Sequence, residues 1–283
     1  MTEPFLKWVG GKRQLLDRIT QRLPEKINRY YEPFFGGGSV FFHLGFENST
    51  INDINTSLMN TYKQVRDNPN EVMNLLSTYD EKIISGGKDY YYEQRDLFNR
   101  KLQNNEYDIE MSSLFIFINK HCFNGVYRVN SKGLYNVPYN NSTGKSFDRD
   151  NILSVSSSLK KTKIMCGDFE PVCDDCKEGD FIYFDSPYVP LNDTSFESYT
   201  KEGFSKENHI RLSELYKRLS GKGCNCMLSN HNTPFVQELY KDFRIEVVDV
   251  KRFVNSDSSN RKGEEVIITN YDFKVKDEIP TLF

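Results

Sequence analysis

The stretch GDFIYFDSPYVPL, residues 179–191, holds the side chains best suited to chemistry. A run of apolar residues ends on the carboxylate of Asp185, and the chain then turns through Ser186 and Pro187 to the ring of Tyr188. Ligands of open α/β sheets bind beyond the carboxyl ends of the strands, so an acid at such an end faces a ligand. The Asp185 carboxylate and the Ser186 carbonyl can accept the two hydrogens of an exocyclic amine on a flat base, while Tyr188 stacks on the ring. Both bonds draw the nitrogen toward a tetrahedral shape. Its lone pair then leaves the aromatic system and can attack an electrophilic methyl, and a sulfonium methyl in line makes the transfer a matter of positioning and electrostatics. Read as structure alone, Asp-Ser-Pro-Tyr is an ordinary β-turn. The buried strand before it and a glycine loop elsewhere in the chain favour the chemical reading.

That loop is EPFFGGGSVFF, with Gly36 to Gly38 directly after an expected strand, where glycine lets backbone approach a ligand and take positive φ. Asp53 ends the next expected strand, where a carboxylate can accept hydrogen bonds from both ribose hydroxyls. The alternative is a tight packing turn with a capping aspartate. No Gly-Lys-Ser/Thr follows the glycines, which excludes a P-loop. A dinucleotide and S-adenosylmethionine both fit the loop and Asp53, and the 185–188 stretch decides for the second.

Apolar Leu15, Leu16, Ile19 and Leu23 predict a helix from Lys12 to Leu23, stopped by Pro24. RYYEPF and STIND read as strands around the glycine loop, giving the alternation that opens many nucleotide-binding sheets. From 55 to 150 the texture is helical, closing on the loop or hairpin FNGVYRVNSKGLYNVPYNNSTGKS. Alternation resumes with KIMCGDFE, DFIYF, a helix capped by Ser205 and closed near Gly221, CNCMLSN and a short helix around PFVQELYKDF. IEVVDVKRFV and EEVIITNYDF can form an antiparallel pair.

In these motifs and their order the chain resembles the DNA adenine-N6 methyltransferases of the Dam group, closest to the Dpn-type enzymes that modify GATC. FLKWVGGKRQLL, EPFFGGGSVFF, INDIN, FNGVYRVNSKGLYNVPY and FDSPYVPL stand where that family has its N-terminal cofactor motif, glycine loop, ribose-binding acid, recognition hairpin and catalytic tetrapeptide. The resemblance implies an open, mostly parallel Rossmann-like α/β sheet with a C-terminal antiparallel strand. It assigns residues 1–55 and 151–283 to the cofactor-binding catalytic domain and residues 56–150 to an inserted helical, DNA-recognising domain with a hairpin. It further implies that Trp8, Lys12, Phe34, Gly36, Gly38, Asp53, Asp168, Phe169 and Asp185 hold S-adenosylmethionine. Asp185, Ser186, Pro187 and Tyr188 form the catalytic set, and Lys7, Asn124, Arg128, Asn136, Pro138 and Tyr139 meet double-stranded DNA. Arginine matches the O6/N7 edge of guanine, so Arg128 is the candidate base reader, with a phosphate clamp as its alternative. The target base must leave the helix to enter such a pocket, at a cost of a few kcal/mol. One position departs from the family pattern: Ser186 replaces the usual proline, keeping the carbonyl and losing the ring that fixes φ.

Composition is compatible with this. Hydrophobic residues make up 37% and charged residues 27% of 283, as in soluble globular chains, and no apolar run is long enough for a membrane span. No secretory signal opens the chain, so a cytoplasmic protein is expected, acting as a monomer that requires no protein partner. The net charge is −3, yet residues 1–30, 119–149 and 250–263 each carry an excess of Lys and Arg, the distribution a localised polyanion groove needs and also that of ordinary solvated surfaces. The pair Cys173/Cys176 has metal-ligand spacing, but a zinc ribbon needs two well-spaced pairs, no histidine lies near it or near Cys224/Cys226, and CNCMLSN reads better as a buried strand with cysteine as a small hydrophobe; no metal is expected. Residues 189–204 read either as a lid over the flipped base or as a surface loop, and 256–263 as a turn whose Arg261 and Lys262 could touch phosphate. Rival readings are cytosine-N4 methylation, a catalytically weak DNA-binding relative, and a nicotinamide oxidoreductase. The last accounts for the glycine loop but not for Asp185 to Tyr188.

Overall fold

In the computed structural model, residues 2–12, 14–191, 203–251 and 262–273 are described. The proposed lid, for residues 192–202, and the turn carrying Arg261 lie outside the described residues. The strands in chain order are β1 (Tyr30–Glu32), β2 (Ser49–Ile51), β3 (Thr162–Ile164), β4 (Phe181–Phe184), β5 (Asn225–His231), β6 (Arg244–Lys251) and β7 (Lys262–Thr269). The chain divides into two compact units, Met1–Lys12 with Phe35–Asp168 and Arg13–Phe34 with Phe169–Phe283. This division by packing differs in kind from the functional division expected from sequence, because the glycine loop, β2 and β3 fall in the same unit as the helices of 56–159.

In the first unit β2 and β3 run parallel, with Ile51 opposite Ile164. Four α-helices lie between them in sequence: Thr56–Asp67, Pro69–Asn104, Ile109–His121 and Arg149–Leu159. Side chains of Asn55, Asp108 and Asp148 cap three of these by accepting from the backbone N–H three residues on, which satisfies donors the first turn leaves open. The helix Pro69–Asn104 is broken at Gly87, whose φ of 50° and ψ of −131° no helix allows. Ile109–His121 is buried around nearly its whole circumference, as its apolar run demands. Its two serines return their hydroxyls to carbonyls one turn back, Ser112 to Asp108 and Ser113 to Ile109, so neither leaves an unpaired donor in the core. The segment after it forms two antiparallel bridges, Cys122 with Tyr139 and Val129 with Tyr135.

In the second unit the strand order is β1-β4-β5-β7-β6. The pairs β1·β4 and β4·β5 are parallel, while β7 runs antiparallel to both β5 and β6. All four residues of β4 are buried, which is why its sequence is continuously apolar rather than alternating. Helices Lys206–Gly221 and Pro234–Leu239 follow β4 and β5, and the Ser205 hydroxyl caps the first by accepting from Asn208 N–H. The N-terminal helix is shorter than its apolar spacing predicts, Leu16–Thr20 only, and no side chain caps its start. The arrangement is a mixed α/β fold. Among the described residues no helix is long and apolar enough to cross a membrane.

Candidate active site

Asp185 lies one residue beyond β4, and the parallel register that sets Phe184 opposite Leu228 brings Ser229 of β5 beside it. The Ser229 hydroxyl donates to Asp185 Oδ1 at 3.1 Å. Tyr183, on the same face of β4 as Asp185, places its own hydroxyl 2.9 Å from Ser229 Oγ. Burial, then the negative charge of Asp185, pushes the Tyr183 hydroxyl well above the ordinary tyrosine range, so it stays a donor. Ser186 is buried, and among the described residues its hydroxyl has no hydrogen-bond partner. Pro187 is exposed, and Tyr188 is half-buried with its hydroxyl donating to Glu265 Oε2 at 2.9 Å and its ring set edge-on to His231. The turn is fixed from behind by β5: Asn230 Oδ1 accepts from Val189 N–H, and His231 Nδ1 lies 2.7 Å from the Val189 carbonyl.

Besides Asp185, the same unit holds two more of the expected cofactor residues. Phe34 and Phe169 stack with centroids 5.2 Å apart, Phe204 meets both, and the Arg211 guanidinium caps the Phe169 ring at 4.6 Å.

The first unit assembles the rest around the end of β2. Phe35 N–H donates to the Asn52 carbonyl, and Asp53 then accepts from Gly36 N–H on Oδ2 and from Asn55 N–H on Oδ1, both at 2.9 Å. Burial outweighs these backbone donors and raises the Asp53 carboxyl above its usual range. Gly36 (φ 49°) and Gly38 (φ 68°) are left-handed, and a β-carbon on Gly36 would stand 2.8 Å from the Trp8 indole. Trp8 in turn stacks on Tyr127 at 5.6 Å. Lys12 is buried, its ammonium 2.8 Å from the Gly10 carbonyl, while Asp168 is exposed just after Gly167, whose N–H donates to the Asp53 carbonyl.

Of the expected DNA contacts, Lys7, Asn124, Arg128 and Pro138 are exposed, Asn124 at a positive φ of 59°. Arg128 Nε donates to Asn136 Oδ1, and the half-buried Tyr139 donates its hydroxyl to the Ser142 carbonyl while stacking on Tyr91. Asn119 was not legible as functional, yet its buried amide fastens two of these segments. It accepts from Lys7 N–H and donates to the carbonyls of Lys7 and Gly125. Ser229, Tyr127 and Asn119 were missed for one reason: each matters through a neighbour distant in the chain, and no spacing announces that.

The glycine loop and the strand-end acid, set in an α/β fold, define a protein that binds a nucleoside. Comparison with known proteins narrows this. The profile of the D12 class N6 adenine-specific DNA methyltransferases matches residues 8–254. The chain is 43% identical over 273 residues to a type II methyltransferase, M1.LlaDCHI, of Lactococcus lactis subsp. cremoris, covering 95% of each. It is 42% identical over 287 residues to the type II methyltransferase M.MjaIII of Methanocaldococcus jannaschii, covering 95% of this chain and 99% of the relative. Against the DNA adenine methylase of Haemophilus influenzae the identity is 32%, over 93% and 92% of the two chains. The chain belongs to the D12 class N6 adenine-specific DNA methyltransferase family. It transfers a methyl group from S-adenosylmethionine to adenine N6 in DNA. The first unit fits that cofactor: the Asp53 carboxylate stands just beyond β2 beside the left-handed Gly36, fixed by backbone N–H groups and able to accept further hydrogen bonds such as those of ribose hydroxyls.

Proposed function

We propose that the methyl acceptor is an adenine extruded from double-stranded DNA, within GATC, and that Asp185, Ser186, Pro187 and Tyr188 receive it. The Asp185 carboxylate and the Ser186 carbonyl accept the two N6 hydrogens, and Tyr188 stacks on the base and helps offset the few kcal/mol that extrusion costs. S-adenosylmethionine, when bound, supplies the sulfonium methyl that the N6 lone pair takes, sulfur keeping the bonding pair. The surplus proton on N6 passes to water. Trp8, Lys12, Phe34, Gly36, Gly38, Asp53, Asp168, Phe169 and Asp185 hold the donor. Residues 1–55 and 151–283 form the catalytic part, and residues 56–150 carry recognition, with Arg128 reading guanine and Lys7, Asn124, Asn136, Pro138 and Tyr139 along the same segment. The enzyme works as a cytoplasmic monomer and, like the type II relatives, marks DNA.

One observation carries this reading: a carboxylate at the end of a buried strand, held on one oxygen by Ser229, stands three residues before an aromatic ring whose hydroxyl is anchored to Glu265. Unmethylated plasmid incubated with enzyme and S-adenosylmethionine, then cut with methylation-sensitive and methylation-dependent nucleases, tests it. Protected GATC sites are expected. Full methyl incorporation with GATC still unprotected overturns the site assignment, and an active Asp185→Ala overturns the catalytic one.

A further inference from the structure

We propose that Ser229, backed by Tyr183, is a positioning residue for methyl transfer: a buried relay of hydroxyls that fixes the plane of the Asp185 carboxylate. The inference rests on the reading of Asp185 above. Its geometry follows from proton inventory. An ionised carboxylate only accepts, so the single Ser229 proton goes to Asp185 Oδ1 at 3.1 Å. The contact between Tyr183 and Ser229, 2.9 Å, then has one possible direction: the tyrosine hydroxyl donates. Both donors have 0% exposure, so water does not replace either one.

Nothing in packing calls for these hydroxyls. Phe181, Ile182 and Phe184 on one strand and Cys226, Met227 and Leu228 on the other are fully buried, and an apolar pair at 183 and 229 would fill the same space without polar atoms to satisfy. A carboxylate on a short side chain turns about its terminal bond with little resistance. An acceptor that must meet a particular N6 hydrogen loses rate when it turns, because a small misplacement is costly in a step governed by position. Pinning one oxygen removes that freedom. Tyr183 adds polarisation to the Ser229 hydroxyl and prevents it from rotating to another acceptor.

The test measures single-turnover methylation and the KM values for DNA and S-adenosylmethionine in Ser229→Ala, Tyr183→Phe, the double variant, Ser229→Thr and Asp185→Ala. Ser229→Ala is expected to lower kcat about tenfold with both KM values within about twofold, since a hydrogen bond to a charged group is lost only where the carboxylate must be aligned. Tyr183→Phe is expected to lower it about threefold, and the double variant to match Ser229→Ala, because the relay acts as one unit. Ser229→Thr keeps the hydroxyl and is expected to recover most of the rate. Wild-type kcat in Ser229→Ala, with Asp185→Ala inactive, overturns the inference and spares the reading of Asp185. An active Asp185→Ala overturns that reading itself. Losses in Ser229→Ala that follow melting temperature and both KM values, that add independently to those of Tyr183→Phe and that threonine does not relieve reduce the pair to structural support and also overturn it.

Discussion

Ser186→Ala separates the hydroxyl of this residue from its carbonyl. The Ser186 side chain is buried at 2% exposure, and among the described residues its oxygen has no hydrogen-bond partner. An unpaired buried hydroxyl costs about 1–3 kcal/mol, and alanine removes it while vacating little more than one oxygen's volume. A net gain of about 1 kcal/mol is expected. Spread over an unfolding entropy of roughly 2.1 cal/mol/K per residue, it raises the melting temperature by about 2 °C in a chain of 283 residues. The carbonyl proposed to accept from N6 is untouched, so the single-turnover rate should stay within about twofold. Ser186→Pro, which restores the usual family residue, should keep the rate as well. Calorimetry and a rapid-quench methylation assay on the same preparations measure both quantities. A loss of more than about tenfold in Ser186→Ala at unchanged or higher melting temperature would mean that the hydroxyl takes part in the reaction, and would refute the assignment of that role to the backbone.

Three other outcomes are expected. His209 is buried, its Nε2 without a hydrogen-bond partner among the described residues, and desolvation holds its imidazole down to about 4 against an ordinary 6.5. Its contribution to stability is therefore complete above pH 6.5 and is lost as pH falls toward 4, about 3 kcal/mol in all; denaturant titrations of His209→Phe should be flatter across that window, and an unchanged slope refutes the burial argument. Burial raises the Asp53 carboxyl, and in the proposed role the ionised form accepts best from both ribose hydroxyls. Calorimetric affinity for S-adenosylmethionine should thus fall on acidification before an ordinary aspartate begins to titrate, and Asp53→Asn should bind more weakly at neutral pH and lose that acid dependence. Gly125 sits at φ 63°, and a β-carbon there would run into the Lys7 side chain. Gly125→Ala should weaken binding of a GATC duplex about tenfold by fluorescence anisotropy, through strain of about 1–2 kcal/mol; parental affinity would show that the segment yields freely.

Much of the fold could be read before any coordinates, because local rules decide it. FIYF is apolar throughout and is buried on both faces as β4, Ser205 caps the helix it precedes, and the two C-terminal β stretches pair antiparallel. The helix expected over 12–23 fails where those rules are weakest, since a spacing of leucines without a capped start sustains only Leu16–Thr20. That a buried strand ends directly before Asp185 and turns toward Tyr188 was legible from that stretch alone. Their supports were not, because the register placing Ser229 beside Asp185, the stack of Trp8 on Tyr127 and the reach of Asn119 to Lys7 and Gly125 are products of tertiary packing. The cysteines show the opposite case. Cys226 is fully buried, and desolvation raises its thiol well above the usual range, so it behaves as the small apolar residue that its strand context suggests.

Two strands of this chain end on an acid, and the way each acid is held differs as its proposed task differs. Asp53 takes its donors from the backbone of Gly36 and Asn55, groups fixed by the loop and by a helix start, which no side-chain substitution removes. A ribose bound there would meet the same two oxygens in every cycle, and rigidity favours affinity. Asp185 accepts from a side chain, Ser229, itself supplied by Tyr183. A hydroxyl can turn slightly as the carboxylate strengthens its hold on an amine whose charge rises during transfer, which a main-chain N–H cannot do. A strand can therefore finish on a charge at modest cost when buried hydroxyls solvate it from behind. The same arrangement leaves its reactivity open to change at position 229, where altering one atom should move rate without moving the fold.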